Sequence, residues 1–136
     1  MDDCLFCKII KGDIPATKVY EDKHCLAFLD INPINKGHTL VIPKQHCKDI
    51  YDVPEETLKS VSIAAKKVSI AVKKAMGCDG VNIGMNNGAS AGQVIFHMHF
   101  HVMPRFENDG HEHWKGTPYS DDATREDVGT KIRELL

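Results

Sequence analysis

The sequence predicts an α+β domain built on a mainly antiparallel sheet. Short β-rich runs stand both before and after one long helical stretch, without the regular strand–helix alternation of a parallel sheet. At 136 residues the chain has the size of one ordinary domain. No internal repeat, low-complexity run or Pro/Gly-rich linker divides it, so residues 1–136 read as one domain, with a core over about 4–106 and a tail over 107–136.

Residues 4–10 form a short helical turn stopped by Gly12 and Pro15. Lys18–Glu21 and Cys25–Leu29 are two strands parted by a turn at Asp22-Lys23. Asn32–Gly37 is a loop rich in residues that interrupt regular structure, and His38–Ile42 is a β-rich run closed by Pro43. Pro54 then stands where a first helical residue would, with Glu55 and Glu56 complementing the helix N-terminus. Apolar residues recur at Leu58, Val61, Ala65, Val68, Val72 and Ala75, a 3-4-3-4-3 spacing that makes one stripe. Lys66, Lys67, Lys73 and Lys74 fall mainly on the wet side, and Gly77 supplies a stop. Val81–Met85 reads as a strand, 86–93 as a loop, and Val94–Met103 as a strand closed by Pro104. Arg125–Leu136 can form a C-terminal helix.

A formal net charge of −2 leaves no basic footprint for nucleic acid. If the chain binds phosphate, local histidines and backbone N–H groups must hold it. The N-terminal MDDCLFCKII is acidic where a secretion signal is basic, and its apolar stretch is too short for one. Nothing approaches the roughly 18 consecutive apolar residues of a membrane span. Five cysteines, an odd number, argue against a disulfide framework. The chain therefore reads as cytoplasmic, with Cys25, Cys47 and Cys78 as small buried hydrophobes.

His97-Met98-His99-Phe100-His101 carries the chemistry. On a strand, alternate side chains share a face, so the three histidines point one way and Phe96, Met98, Phe100 and Val102 point to a core. The bland alternative is three surface histidines on a wet sheet face. A three-histidine metal site is another, but residues i and i+4 of an extended strand stand about 13 Å apart, too far to share one ion. The roles of the three must be divided along the strand.

These five residues, with Val102 and Met103, match the His-φ-His-φ-His-φ-φ signature (φ apolar) of the histidine triad (HIT) superfamily. The segments 4–10, 28–31, 37–46 and 86–88 also resemble its Hint-like, nucleotide-binding branch, in the same order. The resemblance implies a homodimer of α+β domains, each with a five-stranded, mainly antiparallel sheet, one long helix and short terminal helices. It implies nucleotidyl transfer to the central histidine, here His99, followed by hydrolysis of the nucleotidyl-histidine. A neutral imidazole is nucleophilic near neutral pH, provided that its other nitrogen donates to an acceptor such as a backbone carbonyl.

By the same resemblance His101 contacts the phosphate and His38 lies near it. Gly92, Gln93 and the backbone N–H of Val94 embrace it. Many relatives carry Ser at the position of Val94, so the hydroxyl is missing here while the backbone donor remains. Asp30 takes the ribose hydroxyls, Asn86 lies near ribose and phosphates, and Phe6, Ile9, Phe28 and Ile31 wall the base. Taken alone, Asp30 would be a turn residue and the apolar four would be core. The implied substrate is a purine nucleotide conjugate, either a nucleoside phosphoramidate or an adenylylated compound. Dinucleoside polyphosphates, and a nucleotide-binding regulator with little turnover, stand as alternatives. A metal-catalysed hydrolase is a further reading.

Cys4-x-x-Cys7 has metal-ligand spacing, but two cysteines complete no zinc site. A redox pair or two buried thiols would also account for it. Part of the superfamily holds a structural zinc with such a pair, the histidine after the Pro-Lys segment and the first triad histidine. Those positions are Cys4, Cys7, His46 and His97 here. His111 and His113 could chelate in a solvent-facing tail, and Trp114 resembles a tail aromatic that reaches substrate in some relatives.

Overall fold

The computed structural model describes residues 3–136. Its elements in chain order are α1 (Leu5–Lys11), β1 (Lys18–Glu21), β2 (Cys25–Leu29), β3 (Thr39–Pro43), α2 (Glu55–Met76), β4 (Gly80–Gly84), β5 (Phe100–Arg105) and α3 (Asp122–Arg133), with a 3₁₀ turn at Ala89–Ala91. The strands form one five-stranded sheet in the order β1-β2-β3-β5-β4, and every neighbouring pair is antiparallel. No helix among the described residues is long and apolar enough to cross a membrane.

Both faces of the central strands are covered. Cys25, Ala27, Val41 and Val102 pack on the Val61, Ala64, Ala65, Val68 and Val72 stripe of α2. Leu26, Phe28, Leu40 and Ile42, the alternate residues of β2 and β3, pack against Phe6 and Ile9 of α1. Two-sided burial explains why β2 and β3 read as unbroken apolar runs although the sheet is antiparallel. Pro54 is the N-cap of α2 and Gly77 its left-handed C-cap (φ +61°). The stripe is shifted from the sequence reading: Ala64 is buried and Ala75 is exposed.

One strand differs from expectation. Residues 94–99 are not strand, and β5 begins at Phe100 and runs through Pro104 to Arg105. The cause lies in β3. Its pairing with β5 covers Thr39↔Val102 to Val41↔Phe100, and continuing that register would set Met98 opposite Pro43, which has no N–H to give. Met98 N instead donates to Cys47 O at 2.7 Å. Alternation survives the loss of the ladder: Met98 packs with Phe100 and Val102 against α2, whereas Phe96 is 41% exposed beneath Lys48 Nζ. Phe96 is therefore not a core residue.

Gly37 joins the loop before β3 to the far end of α2. Its φ is +96°, and a Cβ there would stand 2.6 Å from Met76 Cγ. Gly37→Val should therefore destabilise more than Gly12→Ala, whose site is open, in denaturant melts. Leu26→Ala, fully buried in the α1 layer, should cost roughly 2–5 kcal/mol by the same measurement.

Candidate active site and metal centre

The bend at 95–97 brings the three histidines to the α1 face in three different settings. His97 is wholly buried. Its Nε2 stands 2.8 Å from Pro43 O; a carbonyl can only accept, so the ring proton is on Nε2 and Nδ1 is bare. That bare nitrogen lies 3.5 Å from Cys4 Sγ, 3.6 Å from Cys7 Sγ and 3.2 Å from His46 Nδ1. Cys7 Sγ is 3.4 Å from His46 Nδ1, and all four donor atoms lie within 4.8 Å of one another.

With Zn–S near ~2.3 Å and Zn–N near ~2.05 Å, tetrahedral donors stand about 3.3–3.8 Å apart. The four atoms fit that spacing, and each offers the soft or borderline donor that zinc prefers. Burial, with Cys4 beside it, pushes the Cys7 thiol up to about 11, so an arriving cation must displace a proton. Cys4 is also the N-cap of α1, its sulfur accepting from Cys7 N.

His99 is buried and differently tied. Its Nδ1 lies 2.7 Å from His97 O, so Nδ1 carries the proton and Nε2 keeps its lone pair. The Phe6 ring meets it edge-on, with centroids 5.2 Å apart. His101, half-buried, meets His99 edge-on with ring centroids 4.8 Å apart, and its Nδ1 sits 2.9 Å from His38 Nε2. Burial lowers the proton affinity of all four rings, taking His97 and His101 to about 4 and lowering His38 and His99. At neutral pH they are uncharged.

Beside His99 and His101 opens a cavity of about 440 Å³, within the range of small-ligand sites. Phe6, Ile9, Phe28 and Ile31 wall it, with Asp30, Asn86, Gly92 and Val94 around its mouth. The sequence missed further apolar lining residues, among them Ile14, Ala16, Leu40 and Ile95; nothing in their local pattern distinguishes them from core. Ile31 and Val94 are largely open to solvent.

Two expected members stand outside this cavity. Gln93 is buried, and its amide is spent on the loop: Oε1 accepts from Gly88 N at 2.9 Å, while Nε2 donates to Lys48 O at 2.7 Å and Ile95 O at 3.2 Å. It braces the 86–93 turn against the segment after β3. His38 lies behind His101. Trp114 is 99% exposed and borders a neighbouring cleft with His101, Arg105, His111 and His113.

A model of the HIT domain family matches residues 11–108. The chain is 47% identical over 108 residues to the Arabidopsis thaliana protein named adenylylsulfatase HINT3, spanning 79% of this chain and 55% of that one. A crystal structure of a HIT family member from Bacillus subtilis superposes with a TM-score of 0.92 at 42% identity, over 98% of this chain and 97% of the other. A zinc-bound histidine triad family protein from Mycobacterium smegmatis superposes at 0.78 with 36% identity, over 99% of each chain.

Two outcomes are expected. Protein purified without chelator should carry about one equivalent of zinc by elemental analysis, and Cys4→Ser or His46→Ala should lose it; full metal content in both variants would reject the ligand set. Unfolded imidazoles bind protons below about 6.5 that the buried rings refuse down to about 4. Stability from their burial is therefore present above that window and is lost as pH falls through it. The thermal midpoint should drop across this interval, less steeply in His101→Gln.

Proposed function

The chain belongs to the HIT domain family, and from that membership and the geometry of the cavity we propose that it is a nucleotidyl hydrolase acting through His99. The observation that carries the reading is the 2.7 Å bond from His99 Nδ1 to His97 O. It leaves Nε2 bare, neutral and facing a cavity with an apolar wall on one side and hydrogen-bonding groups at the mouth.

In this reading the base lies among Phe6, Ile9 and Phe28, and the Asp30 carboxylate receives the ribose hydroxyls. His99 Nε2 attacks the α-phosphorus in line with the leaving group, forming a phosphoramidate that water then cleaves. Among the described residues, no lysine or arginine of the kind that usually holds phosphate lines the cavity. The charge is met by N–H donors: the backbone around Gly92 to Val94 and the ring of His101. Gln93 contributes by holding that backbone in place.

Adenylylated compounds and nucleoside phosphoramidates are the favoured substrates. One relative's name, adenylylsulfatase, supports the first of these. The cleft of about 680 Å³ on the other side of His101 favours a second reading, dinucleoside polyphosphate hydrolysis, because it has room for the far half of such a molecule. Zinc on Cys4, Cys7, His46 and His97 would be structural: four protein donors leave it no open position.

We also place the protein in the cytoplasm as a homodimer. Five free cysteines suit a reducing compartment. Of the two sheet edges, β1 carries Lys18, Glu21 and a bulge, the devices that discourage pairing. The β4 edge, Gly-Val-Asn-Ile-Gly, has none of these, and Ile83 is 50% exposed on it.

Wild type and His99→Ala should be incubated with adenosine phosphoramidate, an adenylylated compound and diadenosine polyphosphates, with products and protein mass followed together. Wild type should release AMP and show a transient nucleotidyl adduct. His99→Ala should show no adduct and lose activity by at least on the order of a thousandfold. Retained turnover in the variant would remove His99 from the role. Binding without turnover by wild type would favour a nucleotide-binding regulator.

A further inference from the structure

His38 is 4% exposed and does not line the cavity that His99 and His101 share. It reaches a ligand there through lining side chains beside it, of which His101 is the nearer and Asp30 the farther. Its own proton is fixed from behind. The backbone N–H of Ile34, in the loop before β3, donates to His38 Nδ1 at 3.2 Å. An amide can only donate, so Nδ1 is bare and the ring proton sits on Nε2.

That proton has two acceptors in reach. His101 Nδ1 is at 2.9 Å and the Asp30 carboxylate at 3.7 Å, which selects His101. The reverse pairing, with His101 donating to His38 Nε2, would move the His38 proton to Nδ1 and set it against the Ile34 N–H. A cation on Asp30, His38 and His101, whose donor atoms also cluster within 4.8 Å, would force the same clash. The same bond therefore argues against a second metal.

We propose that His38 is a positioning residue: through it, the Ile34 amide holds His101 in its Nε2–H form, so that His101 meets the phosphate as a neutral hydrogen-bond donor. The word phosphate rests on the function proposed above; the tautomer does not. A neutral imidazole that gave up this hydrogen would become an imidazolate, so His101 stabilises developing charge and passes no proton. Burial agrees, holding its proton affinity down to about 4, so a protonated His101 is not the acid that accompanies the leaving group. That proton must come from water or be carried by the leaving group itself.

The test reads the tautomer directly. Protein labelled with ¹⁵N in histidine is compared, without substrate, by long-range ¹H–¹⁵N correlation near neutral pH in wild type, His38→Gln and His38→Leu, with His101→Phe used to assign the signals. Wild type should show His101 with bare Nδ1 and protonated Nε2. His38→Gln keeps an N–H donor in reach of Nδ1 and should keep that form; His38→Leu should release His101 into a mixture of tautomers. In phosphoramidate hydrolysis, kcat should fall in His38→Leu in proportion to the fraction of His101 that leaves its Nε2–H form, about two- to tenfold, with KM little changed. His38→Gln should recover most of it. A protonated Nδ1 on His101 in wild type, or an unchanged tautomer in His38→Leu, overturns the proposal. Absence of hydrolysis in wild type would count against the proposed function, and the spectra would still decide the tautomer.

Discussion

The end of the β3 ladder at Pro43 organises the site. A proline there has no N–H to offer the opposing chain, so β5 starts only at Phe100 and the preceding residues bend. The carbonyl that Pro43 retains is taken by His97 Nε2. That contact turns His97 Nδ1 toward Cys4, Cys7 and His46 and leaves the His97 carbonyl free to take His99 Nδ1. One missing donor thus settles the proton of the first histidine, and the first settles the second.

The histidine cluster achieves its specificity through protons held in place, with little fixed charge. Each ring has one nitrogen committed to a backbone group or, for His101, to His38. The other nitrogen is thereby defined as donor or acceptor. Desolvation keeps the rings neutral, which suits a nucleophile and a soft-metal ligand alike. An anionic ligand then depends on aligned N–H groups, whose strength in a dry site comes from not having to reorganise.

The sheet and the long helix were legible because they depend on local pattern, whereas the residues gathered at the cavity came from the family resemblance, since Phe6, Ile9, Phe28 and Ile31 alone read as core. The α2 stripe follows 3.6 periodicity, and the three short strands before it follow β-rich runs between turns. The alternation of His97, His99 and His101 survived the loss of a regular ladder because it needs only extended backbone. The ladder itself was not legible: whether residues 94–99 pair depends on Pro43, more than fifty positions away. Phe96, Ala64 and Ala75 show the same limit, because burial at each is set by what lies opposite. Gln93 and Ile34 illustrate another. Their contributions run through a loop-bracing amide and a main-chain N–H, which side-chain identity does not announce.

The layer formed by α1 is thin: seven residues, of which Phe6 and Ile9 are its buried contacts. Cys4 caps that helix and Cys7 lies within it, and both face donors that belong to the sheet side of the molecule. The wall of the cavity and the anchor of α1 are therefore one unit. If that unit detaches, Phe6 leaves the edge of His99 and the cavity loses its floor, while the α2 layer on the opposite face of the sheet keeps its own packing. The fold thus contains a small cooperative segment whose opening would cost far less than global unfolding. Ligand occupancy and cation occupancy would both draw on the free energy of closing it, so each strengthens the other without the two ever touching.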